Sequence, residues 1–115
     1  MAGNNLILAG DIGGTKTHLA LFSTQGEKLK FELKMTYPSK HYRGLEPVVE
    51  EFLAGQQVSI RRACFGIAGP VVDGEVKTPN LPWVVNSDKI AQRLKLNSAT
   101  LLNDLEAAGY GIFTL

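Results

Sequence analysis

The chain lacks several features that mark particular classes of protein. It has one cysteine, Cys64, so no disulfide can form within the chain and a reducing cytoplasm is the expected location. Its net charge of +1 gives no support for a nucleic-acid or membrane surface. No apolar run approaches the roughly 20 residues that span a bilayer. Asp11 interrupts the apolar N-terminal stretch, which argues against a signal peptide.

The composition that remains is typical of a folded domain with a hydrophobic core. Hydrophobic residues make up 44% and charged residues 20% of 115 residues, without repeats or low-complexity segments. The final stretch, AAGYGIFTL, keeps an amphipathic pattern up to Leu115, whereas chain ends normally become polar. We therefore expect the front part of a longer protein; the alternative is a small protein with a buried C-terminus.

Hydrophobic periodicity predicts an α/β fold in which antiparallel strands come first and parallel crossovers follow. Pro47 and Gly55 are typical of a helix start and stop, and Asn86 of a helix N-cap. Asp73-Gly74 between short apolar flanks predicts a small hairpin. The predicted strands are 6–9, 17–23, 28–36, 60–68 and 100–102, with a hairpin at 71–78 and helices at 45–55, 88–94 and 104–112.

The segment GDIGGTKT, residues 10–17, lies between the first two predicted strands and has the composition of a phosphate-binding loop. Gly13-Gly14 would allow unusual backbone angles and leave no Cβ in the way, so that amide N–H groups can face an anion. Thr15 and Thr17 add hydroxyl donors, and Asp11 could hold a hydrated Mg²⁺. Lys16 either neutralises phosphate charge or lies in solvent. Taken alone, the segment also fits an ordinary hairpin turn.

Polar residues at two later positions provide further candidates. Asn103-Asp104 stands where the last strand meets a helix, at the edge where open α/β sheets bind ligands. Asp104 there either caps the helix or takes a proton from a substrate hydroxyl, while Asn103 orients a second hydroxyl. Asn80, in the PNLPW segment, either contacts a polar ligand or its own turn backbone. Trp83 is predicted to be a packing anchor.

Four motifs in order, DIGGTKT, GIAGP, PNLPW and LLNDLEAAGYGI, resemble the bacterial glucokinase family of the sugar kinase/actin/Hsp70 superfamily. The resemblance implies a ribonuclease H-like fold for residues 1–115, as the N-terminal small domain of a two-lobe hexokinase-type kinase. It implies a sugar site containing Asn80, Asn103 and Asp104, with Asp104 as base toward the 6-hydroxyl. Asp11 would hold Mg²⁺ through water. The residues implied to face the ATP phosphates are Gly10, which opens the loop, Asp11, Ile12, Gly13, Gly14, Thr15 and Lys16.

The activity that this resemblance implies is ATP-dependent phosphorylation of the 6-hydroxyl of glucose, a step of glycolysis. Family members are much longer, and the larger domain with further sugar ligands is absent from this chain. The chain is therefore expected to be inactive alone. The implied partners are ATP, Mg²⁺ and a hexose, with no nucleic acid or membrane, and a homodimer is left open. The alternatives are a related ROK-type kinase of another hexose and a non-catalytic, sugar-responsive regulator.

Overall fold

A computed structural model of the chain describes residues 6–26, 28–55, 59–78, 81–96 and 98–103. Within these ranges lie seven strands, two α-helices and one short 3₁₀ helix. They are, in chain order, β1 (Leu6–Ile12), β2 (Lys16–Gln25), β3 (Lys28–Pro38), the 3₁₀ helix (Ser39–His41), α1 (Leu45–Ala54), β4 (Ile60–Ile67), β5 (Glu75–Lys77), β6 (Val84–Asn86), α2 (Ser87–Leu94) and β7 (Ser98–Asn103).

Five strands form one mixed sheet in the order β3-β2-β1-β4-β7. The pairs β3–β2 and β2–β1 are antiparallel, whereas β1–β4 and β4–β7 are parallel. This order confirms the predicted ribonuclease H-like sheet. Because β1, β4 and β7 run in the same direction, their carboxyl ends share one edge. Ile12 pairs with Ile67, and Ile67 pairs with Asn103.

One face of this sheet packs against the helices and forms the core. Strand side chains that alternate inward, including Leu8, Leu19 and Phe65, are fully buried with Val48 of α1 and Ile90 of α2. Burial of an aliphatic or aromatic side chain of this kind contributes about 1.5–3 kcal/mol. Within the described ranges, no helix is both long and apolar enough to cross a membrane.

The sheet differs from the sequence prediction where β1 meets β2. The ladder continues through the pairs Asp11–His18 and Ile12–Thr17, so that only residues 13–15 remain between the strands. The predicted strands 6–9 and 17–23 are therefore too short at this end, and the loop that they leave, residues 10–16, is too long. At the opposite end of β2, the exposed Gly26 has φ +63°.

A second, two-stranded sheet contains one strand that sequence patterning missed. The tight turn at Asp73-Gly74 is confirmed: both residues have positive φ, and the backbones of Val72 and Glu75 exchange two hydrogen bonds of 3.0 Å. However, β5 also pairs with β6, whose three residues are too few to show a periodic pattern.

The predicted cap of α2 is confirmed, because the Asn86 side chain accepts hydrogen bonds from the amides of Asp88 and Lys89. α1 begins at Leu45 and is followed by Gly55, as predicted. The helix predicted at 104–112 lies outside the described residues.

Candidate functional site

The turn between β1 and β2 lies at the carboxyl edge of the parallel strands and presents backbone donors. The Gly13 amide donates to the Lys16 carbonyl at 3.0 Å and closes the turn. The amides of Gly14 and Thr15, between them, have no hydrogen-bond partner among the residues that the structure describes. Free amides at a turn are suitable donors for an anion.

Glycine at position 13 is favoured by close packing and not by unusual backbone angles. The described glycines with positive φ are Gly26, Gly69 and Gly74, so neither Gly13 nor Gly14 uses the left-handed region. The expectation that the pair adopts unusual backbone angles is therefore wrong. A Cβ on Gly13 would instead lie 3.0 Å from the Lys16 carbonyl oxygen, which accepts the bond that closes the turn.

Gly10 and Ile12 lie in β1 and serve packing. Gly10 is buried, and a Cβ there would meet the Phe65 ring at 2.6 Å and Leu19 at 3.0 Å. The Ile12 side chain is 2% exposed and belongs to the core. The resemblance implied that Gly10 opens the loop. In the structure, Gly10 lies within β1, three residues before the turn, and does not open it. Neither residue can offer a side-chain contact to a phosphate.

Asp11 lies in β1, two residues before the turn. It is half-buried, and it follows the strand alternation onto the face opposite the helices, across from His18 and Gly66. No hydrogen bond or ion pair engages its carboxylate within the described part of the chain. The described residues contain no cluster of three metal-ligating side chains. A single free carboxylate suits Mg²⁺, which keeps most of its waters and takes one or two carboxylates.

The other polar residues of the GDIGGTKT segment divide into exposed and buried ones. Thr15 and the Lys16 side chain are exposed beside the turn, and Lys16 makes no ion pair with a described residue. Thr17, in contrast, is completely buried and its hydroxyl contacts the Ser39 hydroxyl at 2.8 Å. Thr17 was expected to donate to phosphate, and that expectation is wrong because its side chain faces the core.

Ser39, which was not predicted from the sequence, stabilises the turn from its buried side. Its amide donates to the Thr15 carbonyl at 3.0 Å, and its hydroxyl donates to the Gly13 carbonyl at 2.7 Å. The long antiparallel β3 brings Ser39 there, since Lys16 pairs with Pro38. The only sequence signal is indirect: strands of matched length on either side of a hairpin return the chain to its starting edge.

The second half of the predicted site lies along the same edge. Asn103 ends β7, two strands away from the end of β1, a separation of about 10 Å at about 4.8 Å per strand. The backbone of Asn103 and the β1–β2 turn thus occupy one edge of the sheet. Asp104 and Asn80, the other two predicted sugar-site residues, lie outside the described residues.

The loop that carries Asn80 is anchored on both sides. Thr78, whose side chain is buried, donates its hydroxyl to the carbonyls of Leu81 and Trp83 at 3.1 Å each. The Trp83 ring is 2% exposed, and its indole N–H donates to the Tyr42 carbonyl at 3.0 Å. Trp83 is therefore a packing anchor, as predicted.

Comparison with known proteins identifies the family. A family model described as Glucokinase matches residues 8–115. The chain belongs to the glucokinase family. A curated relative, the glucokinase of Synechocystis sp., is 42% identical; the alignment covers 94% of this chain and 34% of the relative.

Solved structures show the same glucokinase fold. A glucokinase from an Antarctic psychrotroph aligns with a TM-score of 0.84 and 28% identity, over 92% of this chain and 34% of that one. A ROK family glucokinase from Streptomyces griseus, in complex with glucose and AMPPNP, aligns with a TM-score of 0.67 and 25% identity, over 95% of this chain and 36% of that one. The chain thus spans about a third of the length of these glucokinases.

Proposed function

We propose that the protein containing these residues is a glucokinase that transfers the terminal phosphoryl group of ATP to the 6-hydroxyl of glucose. The observation that carries the proposal is the β1–β2 turn of a glucokinase-family chain. Its Gly14 and Thr15 amides are without partners in the described structure, and Asp11, whose carboxylate also has no described partner, precedes the turn by two residues. The Streptomyces griseus relative, solved with glucose and an ATP analogue, supports this pair of ligands.

The turn would bind the phosphates of ATP through its backbone. Phosphoryl transfer depends on positioning and on stabilising negative charge, and preorganised amide donors do both. Asp11 would hold Mg²⁺ through water, and the exposed Lys16 side chain can reach an anion from the same turn. When bound, Mg²⁺ supplies positive charge to the phosphate oxygens.

The sugar would bind along the same edge, near the end of β7. We propose that Asn103 and Asp104 hydrogen-bond the sugar, that Asn80 lines its pocket, and that Asp104 takes the proton of the 6-hydroxyl. A general base of this kind contributes about 10²–10⁴-fold to the rate. Hydrogen-bonding groups that need a hydroxyl partner would discriminate strongly between sugars.

These 115 residues would form the N-terminal small domain of a two-lobe enzyme. The chain spans about a third of its relatives, so the rest of the sugar and adenine sites would come from a second lobe that closes over the substrates. The chain alone is then expected to transfer no phosphate. The cytoplasmic location and the lack of nucleic-acid and membrane partners stay predictions from the sequence, and a homodimer stays open.

The test is an Asp104→Ala substitution in the complete protein that contains these residues, assayed for glucose 6-phosphate. We expect loss of transfer with unchanged folding. Glu50→Gln is the matched control, because its carboxylate makes only an exposed ion pair with Arg93, worth about 0–1 kcal/mol. Turnover by the Asp104 variant within tenfold of wild type would refute the role of the base.

The phosphorylation assay with other sugars, together with glucose binding measured by calorimetry, separates the alternative functions. A wild type that phosphorylates mannose, fructose or N-acetylmannosamine faster than glucose would be a kinase of another hexose. A wild type that binds glucose in calorimetry but transfers no phosphate would favour the sugar-responsive regulator.

A further inference from the structure

Two completely buried hydroxyls lie directly beneath the β1–β2 turn. Thr17 and Ser39 are both 0% exposed, and their hydroxyl oxygens are 2.8 Å apart. Among the described residues, the buried polar side chains are these two and Thr78. Two of the three buried serine and threonine residues in the described ranges therefore serve a single turn.

The direction of each hydrogen bond follows from the number of available protons. The Gly13 carbonyl can only accept, so the Ser39 hydroxyl donates its one proton to it, at 2.7 Å. Ser39 then has only lone pairs left for Thr17, and the 2.8 Å contact must be donated by the Thr17 hydroxyl. Thr17 thereby fixes the rotation of the Ser39 hydroxyl toward the turn.

Ser39 bonds the first and the last residue of the turn at once. Its hydroxyl holds the Gly13 carbonyl, and its amide holds the Thr15 carbonyl at 3.0 Å. Gly14, between them, makes no hydrogen bond to another described residue. The Gly14 amide is thus held only through its neighbours.

Peptide planarity converts this anchoring into an orientation for the Gly14 amide. The Gly13 carbonyl and the Gly14 N–H belong to one trans peptide unit and point in opposite directions. Because the Gly13 carbonyl points at the buried Ser39 hydroxyl, the Gly14 N–H points away from the core. Thr17 lies opposite Ile12 on the helix-covered face, so the Gly14 N–H is directed toward the other face, where Asp11 lies.

We propose that Ser39, oriented by Thr17, is a positioning residue that aims the Gly14 amide at the phosphate groups of the nucleotide. This rests on the proposed kinase function. Ser39 itself is buried and does not touch the ligand. Its effect is to keep one peptide unit in the binding orientation before ATP arrives, so that no reorganisation is needed on binding.

The experiment replaces Ser39 by alanine in the complete protein that contains these residues. Without the hydroxyl, the Gly13 carbonyl loses its partner and the peptide unit can rotate. We expect the KM for ATP to rise about tenfold, the scale of one lost hydrogen bond, with the KM for glucose unchanged. Calorimetry with AMPPNP in place of ATP should show the same weakening without turnover.

A second pair of variants keeps the proposal testable if Ser39→Ala fails to fold. Thr17→Val keeps the shape of the side chain but removes the hydroxyl, whereas Thr17→Ser keeps the hydroxyl. We expect Thr17→Val to raise the KM for ATP and Thr17→Ser to restore it. Thr78→Val is the matched control, since it removes a buried hydroxyl at the Asn80 loop and should leave the KM for ATP unchanged.

Amide NMR gives a readout that general destabilisation would not reproduce. In wild type, the Gly14 amide signal should shift when AMPPNP is added, and in Ser39→Ala this shift should shrink. Equal nucleotide affinity in wild type, Ser39→Ala and Thr17→Val would overturn the positioning role and leave the kinase proposal intact. A wild type that binds no nucleotide and transfers no phosphate would overturn both.

Discussion

Gly10 offers a sharp test of how closely β1 packs against β4. An alanine Cβ at this position would lie 2.6 Å from Cδ1 of Phe65 and 3.0 Å from a methyl carbon of Leu19. Non-bonded carbons prefer about 3.5–4.0 Å, so the closer contact is short by about 1 Å. Phe65 is completely buried, so its ring cannot turn out into solvent without a cost. The overlap must therefore be relieved by moving the sheet or the ring.

Overpacking of this kind costs about 1–3 kcal/mol. For a domain of this size, each kcal/mol lowers the melting temperature by about 4–8 °C. We therefore expect Gly10→Ala to melt several degrees below wild type in thermal unfolding followed by circular dichroism. Shrinking the neighbour in a Gly10→Ala, Phe65→Leu double variant should recover part of the loss.

Gly55→Ala is the matched control for this experiment. Gly55 follows α1 with φ −88°, an angle that alanine adopts, and a Cβ there would meet nothing within 4 Å. Its replacement should be neutral or stabilise by up to about 1 kcal/mol, because alanine restricts the unfolded chain. Equal melting temperatures for Gly10→Ala and Gly55→Ala would refute the packing argument.

Three further predictions follow from the structure. Asn86→Ala removes the acceptor of two amide hydrogen bonds at the start of α2 and should lower the free energy of unfolding by about 1 kcal/mol in urea titrations, whereas Asn86→Asp should retain most of it. The hydrogen bond to Glu51, with smaller effects of burial and of negative charge, raises the pKa of Tyr42 from 10.0 to about 12. The stability that this protonated phenol contributes is present below pH 10 and is lost as the pH rises through about 12. In Glu51→Gln, absorbance titration should show Tyr42 ionising at a lower pH than in wild type. Asp11→Asn should raise the Mg²⁺ concentration needed for half-maximal transfer, and an unchanged requirement would remove Asp11 from the metal site.

Local signals in the sequence were sufficient for much of the fold. Asn86 as a cap and Asp73-Gly74 as a tight turn depend on chemistry within three or four residues, and both are confirmed. β6 could not be found in this way, because three residues carry no period and six positions separate it from its partner β5. The ends of β1 and β2 also depend on cross-strand pairing. The glycine content of this segment led to a prediction that the strands end earlier than they do.

The candidate site was predictable only in its exposed parts. Asp11 and the glycine turn could be proposed from the sequence because their composition is unusual between two strands, and their ligand roles stay predictions. The burial of Thr17 was not visible, since a hydroxyl residue beside a glycine pair fits a ligand contact as well as an internal one. Ser39 lies 26 positions from the carbonyl that its hydroxyl holds, and nothing near it in the sequence marks that contact.

The length of β2 separates the turn that contains the candidate site from an exposed tip at Gly26. Ten residues of strand place Gly26 about 30 Å from the β1–β2 turn. Gly26 is exposed, and a Cβ added there would meet nothing within 4 Å. A fluorophore or affinity handle at this remote tip would therefore report on the protein from far outside the turn. The exposed Thr24 is the better point of attachment, because the φ of +63° at Gly26 strains any other residue.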